Sequence, residues 1–353
     1  MTRVVRVDPF NPPEDRIREC ALTLRQGGLV AFPTETVYGL GADAYNVRAV
    51  LRVFEVKKRP LDNPLIVHIS SLDQLREIAL DPPSHLVRLL EQMWPGPLTV
   101  VLEKTANVPR EVTGGLETIA VRMPAHPVAL LLIKSAGIPV AAPSANISGR
   151  PSPTTAEHVI EDLQGLIEIV IDGGETLFGI ESTIVDFTRD PPVLLRPGPV
   201  PVEHIEKHLG KKIIVPEFAR GLEESEVALS PGVKYRHYAP RTELFLVETR
   251  GELSLQRLVR AVRELASEVG KNRKVCIVST LETQAQYRDL GARVLVLGSR
   301  KNMYQVAHNL FKTLRALDSL HVDVAIVEGF EERGLGLAVM NRLRKAASRI
   351  FKV

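Results

Sequence analysis

The feature that most constrains the fold is a change of pattern on either side of an aperiodic stretch, residues 210–241. This stretch has scattered prolines and glycines and charges of both signs, with neither a helical nor a strand period. Structureless stretches of such length are uncommon within a compact domain and usually form functional loops or linkers. A chain of 353 residues can also form two hydrophobic cores. The sequence therefore predicts domains at 1–209 and 242–353, joined by a linker or lid loop at 210–241.

Before the linker, short apolar runs and amphipathic segments follow one another without a fixed order. Helices are predicted at 13–26, 48–58, 72–80, 85–92, 128–136 and 156–163. Strands are predicted at 29–33, 65–69, 98–102, 118–121, 140–142, 167–171 and 183–187. The strict βα alternation of a doubly wound sheet is missing, so we expect an α+β fold with a twisted mixed sheet.

After the linker, apolar β-branched runs alternate with amphipathic stretches. Strands are predicted at 244–247, 275–278, 294–297 and 324–327, and helices at 253–269, 303–317 and 337–350. This βαβα order predicts a small parallel α/β domain.

Composition and missing motifs exclude several classes of function. The net charge is only +3, so composition alone does not indicate nucleic-acid binding. Cys20 and Cys276 lie far apart without a CxxC pair, which predicts buried thiols and neither a zinc site nor a disulfide. P-loop, GxSxG and HExxH motifs are absent. The N-terminus has no apolar signal region, and no apolar run approaches membrane-spanning length, so a cytoplasmic protein without membrane contact is expected.

A glycine-rich segment near the end of the chain resembles the start of a dinucleotide-binding fingerprint. In it, Gly334 and Gly336 are spaced correctly, but the sixth position is Val339 and the segment does not belong to a first βα unit. We interpret it as a turn before the last helix.

Several polar motifs lie at the ends of predicted strands and helices in the first domain, where loops usually carry function. They are KKRPLDNPL at 57–65 with His68 after it, PTETVYG at 33–39, APSANISGRPSPT at 142–154, ESTIVD at 181–186 and LLRPGPVP at 194–201. Each alone is compatible with an ordinary cap or turn. Together they supply hydroxyls, amides, small residues and cations, which suit phosphate groups and a small carboxylate ligand.

The motif KKRPLDNPL contains two features of different kinds. Lys57, Lys58 and Arg59 end a predicted helix, where cations interact favourably with the helix dipole. Pro60 stops that helix, and the Asn63-Pro64 pair turns the chain into the strand that carries His68. The cations therefore need no function of their own, but with the PSAN motif they suggest a phosphate clamp.

The motifs KxRPxxNPL with a following histidine, PTET, PSAN with Ser148-Gly149, and ESTIVD together resemble the YrdC-type threonylcarbamoyl-AMP synthases. The linker sequence SPGVKYRHYAP and the second α/β domain resemble the long, two-domain form of that family. The resemblance implies a twisted sheet with a positively charged concave face, followed by a small Rossmann-like domain. It also implies an activity: L-threonine, bicarbonate and ATP give threonylcarbamoyl-AMP and pyrophosphate, for modification of tRNA next to the anticodon.

The implied chemistry needs anions held together more than it needs an enzyme nucleophile. We expect Lys58, Arg59, Ser144 and Asn146 to act on the phosphates, and the sequence does not decide between Lys57 and Lys58. The expected nucleotide-binding residues are Lys57, Lys58, Arg59, Asn63, Pro143, Ser144, Asn146, Arg196 and Tyr235. The family pattern points to Thr34, His68, Arg122 and Ser182 for threonine.

The linker and the cofactors complete the expectations. Tyr235 and Arg236, in a segment with a Pro-Gly hinge, suggest a lid that excludes water from a labile intermediate, whereas the plain alternative is a passive tether. ATP is expected as a substrate, with Mg²⁺ bound through its phosphates and not by a protein cage. A downstream threonylcarbamoyl-transfer complex is the implied partner, with transient tRNA contact left open.

Two other functions compete with this interpretation. One is a non-catalytic protein that binds tRNA or double-stranded RNA through its positive face, although the low net charge and the lack of an aromatic stacking motif weigh against it. The other is carbamoyl transfer as in hydrogenase maturation proteins, which would require additional modules with zinc-finger-like cysteines.

Overall fold

The structure of the chain, a computed structural model, describes residues 1–353 except 225–227, 233, 235, 236, 250, 252 and 253. Two compact units are present. The first comprises Met1–Ser148, Ser152–Ala219 and Glu224–Tyr235, and the second comprises Gly149–Pro151, Arg220–Glu223 and Arg236–Val353. In the described part of the chain, no helix is long and apolar enough to cross a membrane.

The first unit contains ten strands and seven helices among its described residues. The strands are β1 (Arg3–Arg6), β2 (Val30–Phe32), β3 (Gly39–Asp43), β4 (Ile66–His68), β5 (Leu98–Glu103), β6 (Thr118–Arg122), β7 (Val140–Ala141), β8 (Ile169–Asp172), β9 (Thr183–Asp186) and β10 (Val193–Arg196). The helices are α1 (Glu14–Arg25), α2 (Val47–Lys57), α3 (Leu72–Ile78), α4 (Ser84–Met93), α5 (Pro127–Ala136), α6 (Ala156–Leu163) and α7 (Val202–Leu209). A short helix α8 (Glu217–Arg220) lies in the predicted linker.

The ten strands form one mixed sheet, in the order β1-β8-β2-β3-β7-β4-β6-β5-β9-β10. Strand β4 pairs parallel with β6, and β5 pairs antiparallel with β6. The predicted mixed α/β fold is therefore confirmed. Helices α1 and α5 pack on one face through buried Leu24 and Leu132 against Phe32 and Ile171 of the sheet.

The prediction missed strands β1 and β3, which are short or rich in glycine. In β3, a Cβ on Gly41 would lie 2.8 Å from the Phe32 ring and 2.9 Å from Val140. Only glycine allows this close approach of the strand to its neighbours, which explains why β3 lacks the β-branched residues that signal a strand.

The second unit contains five strands and three helices among its described residues. The strands are β11 (Glu243–Glu248), β12 (Val275–Ser279), β13 (Arg293–Val296), β14 (Val324–Glu328) and β15 (Arg349–Lys352). The helices are α9 (Leu255–Val269), α10 (Met303–Leu317) and α11 (Leu335–Ala346), with a 3-10 helix at Gln284–Leu290. All pairs are parallel, in the order β13-β12-β14-β11-β15, so the predicted parallel α/β domain is confirmed.

One prediction in this unit is wrong. The last helix, expected over 337–350, ends at Ala346, and β15 follows and pairs with β11. The backbone N–H of Ala347 donates the last helical hydrogen bond to Leu343, and that of Ser348 already donates to the carbonyl of Leu244. A sheet edge that is distant in sequence therefore ends the helix, and no local stop signal marks that point.

Candidate active site

The loop that follows β2 is shaped by its own first threonine. The Oγ1 of the buried Thr34 donates to the carbonyl of Val37 at 2.7 Å and accepts from the backbone N–H of Thr36 at 3.1 Å. The two threonine hydroxyls are 2.8 Å apart. Such side chain-to-backbone bonds stabilise a tight turn, and this turn orients the next two side chains, Glu35 and Thr36, toward Arg122.

Arg122, at the end of β6, is the central buried cation of the site. Its Nη1 donates to Thr36 Oγ1 at 2.9 Å, and its Nε donates to the carbonyl of Gly96 at 3.3 Å. Its Nη2 lies 2.7 Å from Glu35 Oε1, but the two groups are poorly aligned. In the described part of the chain, Arg122 Nη2 and both Glu35 oxygens therefore lack a hydrogen-bond partner. Buried polar atoms are usually paired, so this cluster has the hydrogen-bonding capacity to hold a polar ligand.

His68 lies beside Arg122 on the neighbouring strand. The two residues are cross-strand partners in the β4–β6 pair, and the imidazole packs edge-on to Phe32, with ring centroids 6.3 Å apart. Burial, together with the Arg122 charge, lowers the pKa of His68 to about 3, so the ring is neutral at neutral pH. Its Nδ1 has no hydrogen-bond partner within the described ranges.

Ser182 and Arg196 form a second buried pair of groups. The Oγ of Ser182 is 2.7 Å from Thr99 Oγ1, and Arg196 donates to both the Oγ and the carbonyl of Ser182, at 3.2 and 3.1 Å. The segment before Ser182 reaches the first cluster, because the backbone N–H of Phe178 donates to the carbonyl of Glu35 at 2.8 Å.

Two bonds of the linker involve first-unit residues that are close in sequence or space to the predicted site residues, and both linker residues belong to that unit. Arg196 Nη1 donates to the carbonyl of Pro231 at 3.3 Å. Lys234 forms an ion pair with Asp62 at 2.9 Å, in the loop that follows Arg59. Tyr235 and Arg236, on which the lid hypothesis depends, lie outside the described residues.

Lys57 holds the PSAN loop in place. Its side chain is 1% exposed, and Nζ donates to the carbonyls of Ser144 and Asn146, both at 2.5 Å. The backbone N–H of Ser148 donates back to the carbonyl of Lys57 at 2.8 Å. The structure therefore brings the KKR and PSAN motifs together, as the sequence suggested, through a lysine directed at backbone oxygens.

Arg59 organises the turn that leads into β4. Its Nε and Nη2 donate to the carbonyl and the side-chain Oδ1 of Asn63, at 3.0 and 2.6 Å, and Nη2 also reaches the carbonyl of Pro64 at 2.8 Å. Both Arg59 and Asn63 are buried. Arg59 and the Asn63-Pro64 pair therefore stabilise this turn, in addition to any role in binding.

Lys58 differs from both of its neighbours. It ends α2 in the left-handed conformation, with φ 52° and ψ 43°, and its side chain is exposed. A left-handed residue at a helix end turns the chain sharply, so three consecutive cations point in different directions. Only Lys58 of the three presents its ammonium group to solvent.

The PSAN loop is also tied to the strand after PTET. Leu40 donates to the carbonyl of Pro143 at 2.8 Å, Ala145 donates to the carbonyl of Tyr38 at 2.9 Å, and Ser144 forms a bridge with Gly39. Backbone hydrogen bonds therefore connect the PSAN loop, predicted for the nucleotide, to the strand that follows PTET, predicted for threonine.

Three residues of the site were not predicted: Glu35, Thr36 and Thr99. The sequence shows Glu35 and Thr36 inside PTET, but no local signal marks their contacts with Arg122, which lies 86 residues after Thr36. Among the described residues, no three His, Cys, Asp or Glu side chains cluster as a metal site. Both cysteines are buried, as predicted.

Comparison with known proteins gives a consistent result. A family model described as "Telomere recombination", which covers Sua5, YciO and YrdC proteins, matches residues 22–198. A second, described as "Threonylcarbamoyl-AMP synthase, C-terminal domain", matches residues 200–348.

Individual relatives cover nearly the whole chain. Threonylcarbamoyl-AMP synthase of Pyrococcus abyssi is 50% identical over 342 residues, 96% of each chain. The Bacillus subtilis protein of the same name is 44% identical over 96% of this chain and 95% of its own. The crystal structure of P. abyssi Sua5 complexed with L-threonine superimposes with a TM-score of 0.91 at 50% identity, covering 100% of both chains. The chain therefore belongs to the threonylcarbamoyl-AMP synthase family of enzymes, in its two-domain Sua5 form.

Proposed function

We propose that this chain makes L-threonylcarbamoyl-AMP from L-threonine, bicarbonate and ATP, with release of pyrophosphate. The observation that carries the proposal is the buried cluster of Arg122, Glu35 and His68. Arg122 Nη2, both Glu35 carboxylate oxygens and His68 Nδ1 lack hydrogen-bond partners within the described residues. Family membership and the L-threonine complex of the P. abyssi relative support it.

The reaction needs two nucleophilic attacks, neither by an enzyme group. The threonine nitrogen attacks the carbon of bicarbonate, a C–O bond breaks and its oxygen leaves as water, and the nitrogen loses a proton to give a carbamate; if bicarbonate has first lost water to form CO₂, only the proton is lost. A carbamate oxygen then attacks the α-phosphorus of ATP, and the bond to the pyrophosphate oxygen breaks. Because all three substrates carry negative charge, alignment and charge neutralisation are the main tasks of the protein.

Threonine fits the cluster around Arg122. The guanidinium would bind the carboxylate, Glu35 would hold the ammonium before deprotonation, and neutral His68 would exchange a hydrogen bond with the hydroxyl. Thr34 supports this arrangement through the turn that it closes. Ser182, held by Thr99 and Arg196, would complete the wall on the side of β9.

The nucleotide fits the adjoining PSAN side. Lys58 is exposed and directly follows Lys57, which bonds this loop, so we expect Lys58 to contact the phosphates directly, together with Ser144 and Asn146. Lys57 and Arg59 would act by positioning that loop and the turn through Asn63, since they donate hydrogen bonds to backbone and amide oxygens. Pro143 and Arg196 would border the AMP portion.

Magnesium would enter with the nucleotide. The PSAN loop and Lys57 offer ammonium, hydroxyl and amide groups, and the Asp162 carboxylate beside the loop accepts from the backbone N–H of Ile147. These donors suit phosphate better than a bare divalent cation. The phosphate oxygens would therefore supply the metal ligands, and the metal would neutralise the developing charge on pyrophosphate.

The linker would act as a lid over this site. The bond from Arg196 to Pro231 and the ion pair of Lys234 with Asp62 support this, because they hold the part of the linker just before Tyr235 against the first unit. If Tyr235→Ala combined with Arg236→Ala leaves turnover unchanged in a folded protein, the lid proposal is wrong.

The product would pass to a complex that transfers the threonylcarbamoyl group to tRNA. The direct test precedes that step: the pure protein is incubated with ATP, bicarbonate and labelled threonine. We expect pyrophosphate and a labelled adenylate in equal amounts. ATP hydrolysis that proceeds equally well without threonine would exclude the synthase proposal.

A further inference from the structure

The five-stranded sheet of the second unit reverses its winding direction between β11 and β14. After β11 the chain crosses through α9 to β12, and after β14 it crosses through α11 to β15. Strands β12 and β15 lie on opposite sides of the β14–β11 pair. Right-handed crossovers therefore place α9 and α11 on opposite faces of the sheet, which opens a crevice at the carboxyl ends of the two strands. Open parallel sheets bind ligands at such a point.

A cavity of about 700 Å³ occupies this position. Its wall is formed by the residues that follow β11 and β14, by one side of α11 and by Arg300, which follows β13. Sites for small molecules typically measure roughly 300–1,000 Å³. The size and the place of the cavity both match a small-molecule site, and none of the residues proposed for threonylcarbamoyl-AMP synthesis lines it.

The floor of the cavity is rigid and internally paired. Arg300 binds Glu328 at 2.7 Å and lies over the ring of Phe330, 4.6 Å from its centroid. Arg344 binds both Glu248 at 2.8 Å and Glu332 at 2.5 Å. These hydrogen-bonded ion pairs fix the side chains that form the floor, so the shape of the cavity is set before any ligand binds.

The mouth of the cavity carries charges of both signs. Glu331 and Arg333 are exposed, and within the described part of the chain neither forms an ion pair. Both line the cavity and only one residue separates them in sequence, so the cavity offers a carboxylate and a guanidinium without an ion-pair partner among the described residues. Leu255 and the ring of Phe330 add apolar surface.

The balance of charge selects the class of ligand. Three carboxylates and three guanidinium groups line the cavity, namely those of Glu248, Glu331, Glu332, Arg300, Arg333 and Arg344. A polyanion such as ATP would face the carboxylates, and a polyamine would face the arginines, at the cost of like-charge contacts. A molecule with one ammonium and one carboxylate matches both sets.

We propose that this crevice binds a free α-amino acid with an apolar side chain. The ammonium pairs with Glu331, the carboxylate with Arg333, and the side chain packs against Phe330 and Leu255. The second unit thereby gains a binding site separate from the substrate pocket of the first, and the inference does not depend on the proposed reaction.

The test uses the full chain with ¹³C-labelled methionine methyl groups. Met340 lines the crevice, whereas the carbonyl of Met123 accepts from Gly96 beside Arg122 and reports on the first unit. Each of the twenty proteinogenic α-amino acids is titrated. We expect leucine or another apolar member to shift the Met340 signal saturably and to leave the Met123 signal in place.

Two kinds of control decide the ligand class. Leucinamide lacks the carboxylate, 2-hydroxyisocaproate lacks the ammonium, and ATP is a polyanion, so none should shift Met340 at the concentration at which the amino acid saturates. If no amino acid moves the Met340 signal, or if ATP or either analogue moves it as strongly, the proposal is overturned.

Variants of exposed residues test the contacts without disturbing the core. Arg333→Ala and Glu331→Gln should each weaken amino-acid binding at least tenfold, while Arg257→Ala, an exposed change on α9 outside the crevice, should leave it unchanged. Threonine-dependent turnover without added apolar amino acid should be the same in all three variants. Wild-type affinity in both crevice variants would contradict the assignment.

Discussion

Each unit contains a buried arginine–glutamate pair, and the two pairs differ in how completely they are satisfied. In the second unit, Arg300 donates through Nε to Thr280, through Nη1 to Gly329 and through Nη2 to Glu328, at 3.2, 2.9 and 2.7 Å. In the first unit, Arg122 lies as close to Glu35, at 2.7 Å, yet Nη2 and both carboxylate oxygens lack hydrogen-bond partners in the described part of the chain.

We interpret this difference as that between a pair that holds its surroundings in place and the pair proposed to bind threonine. A fully hydrogen-bonded pair offsets its own desolvation and fixes the side chains around it. A buried pair with unused donors and acceptors is costly until another polar molecule completes it. The comparison therefore predicts that equivalent changes at Arg122 and Arg300 have opposite consequences, one for activity and the other for stability.

The largest effect is expected from Arg122→Lys. Lysine keeps the charge but lacks the planar fork that contacts Thr36 and Glu35 and would bind the threonine carboxylate. We expect threonine-dependent pyrophosphate release to fall about 10²–10³-fold in kcat/KM, as for other preorganised donors. The matched control, Arg300→Lys, should stay within twofold of wild type. Equal losses of kcat/KM in both variants would contradict the assignment of Arg122, and not Arg300, to the threonine site.

For stability we expect the opposite order: Arg300→Lys should lower the free energy of unfolding more than Arg122→Lys does. This effect is smaller than the effect on activity. Arg300→Lys loses two of its three hydrogen bonds and leaves buried acceptors unsatisfied, so the free energy of unfolding should fall by about 1–3 kcal/mol. Arg122→Lys should cost less, because its native bonds are incomplete. Urea unfolding followed by circular dichroism compares the two, and a larger loss in Arg122→Lys would contradict the assignment of Arg300 to the framework.

The three consecutive cations give a second comparison. Lys58→Ala should lower kcat/KM for ATP about tenfold, since loss of one exposed phosphate contact removes roughly 1.4 kcal/mol, and should leave stability unchanged. Lys57→Met should instead destabilise the first unit, because the carbonyls of Ser144 and Asn146 lose their donor. If Lys58→Ala has wild-type kinetics for ATP, the phosphate contact lies elsewhere.

The smallest effect concerns pH. Folding lowers the pKa of His68 from 6.5 to about 3, so below pH 6.5 the unfolded chain binds a proton that the folded chain does not. The free energy of unfolding therefore falls as the pH falls, by about 1 kcal/mol between pH 6.5 and 5.5.

His68→Gln should remove that part of the pH dependence. Unfolding in urea, followed through the fluorescence of Trp94, the single tryptophan of the chain, compares the two proteins at both pH values. Identical pH dependence would mean that His68 is protonated as readily in the folded state as in the unfolded state.

Much of the architecture could be predicted because local hydrophobic periodicity and turn residues mark most helices and strands. Most strands of both sheets carry β-branched runs, and the polar motifs follow several of them, so the general position of the proposed site could be predicted. The termination of α11 and the strand β15 were not, since the pairing of Ser348 with Leu244 decides them. Nothing in the sequence near residue 347 signals that contact.

The same limit applies to the roles of individual site residues. The sequence showed three cations before Pro60 but not that Lys58 adopts a left-handed conformation, which directs Lys57 inward and leaves Lys58 exposed. It showed Glu35 and Thr36 as polar residues of one turn. It did not show that Arg122, 86 residues after Thr36, donates a hydrogen bond to the Thr36 hydroxyl. Contacts of this kind depend on the register of strands, which local composition does not encode.

The central claim is that the incompletely bonded cluster of Arg122, Glu35 and His68 is the threonine site. The most direct measurement is a crystal structure of this chain with L-threonine. We predict that the ligand carboxylate lies within hydrogen-bonding distance of Arg122 and that its ammonium or hydroxyl bonds Glu35 or His68. Threonine bound elsewhere, with Arg122 Nη2, the Glu35 carboxylate oxygens and His68 Nδ1 still lacking hydrogen-bond partners, would contradict the account.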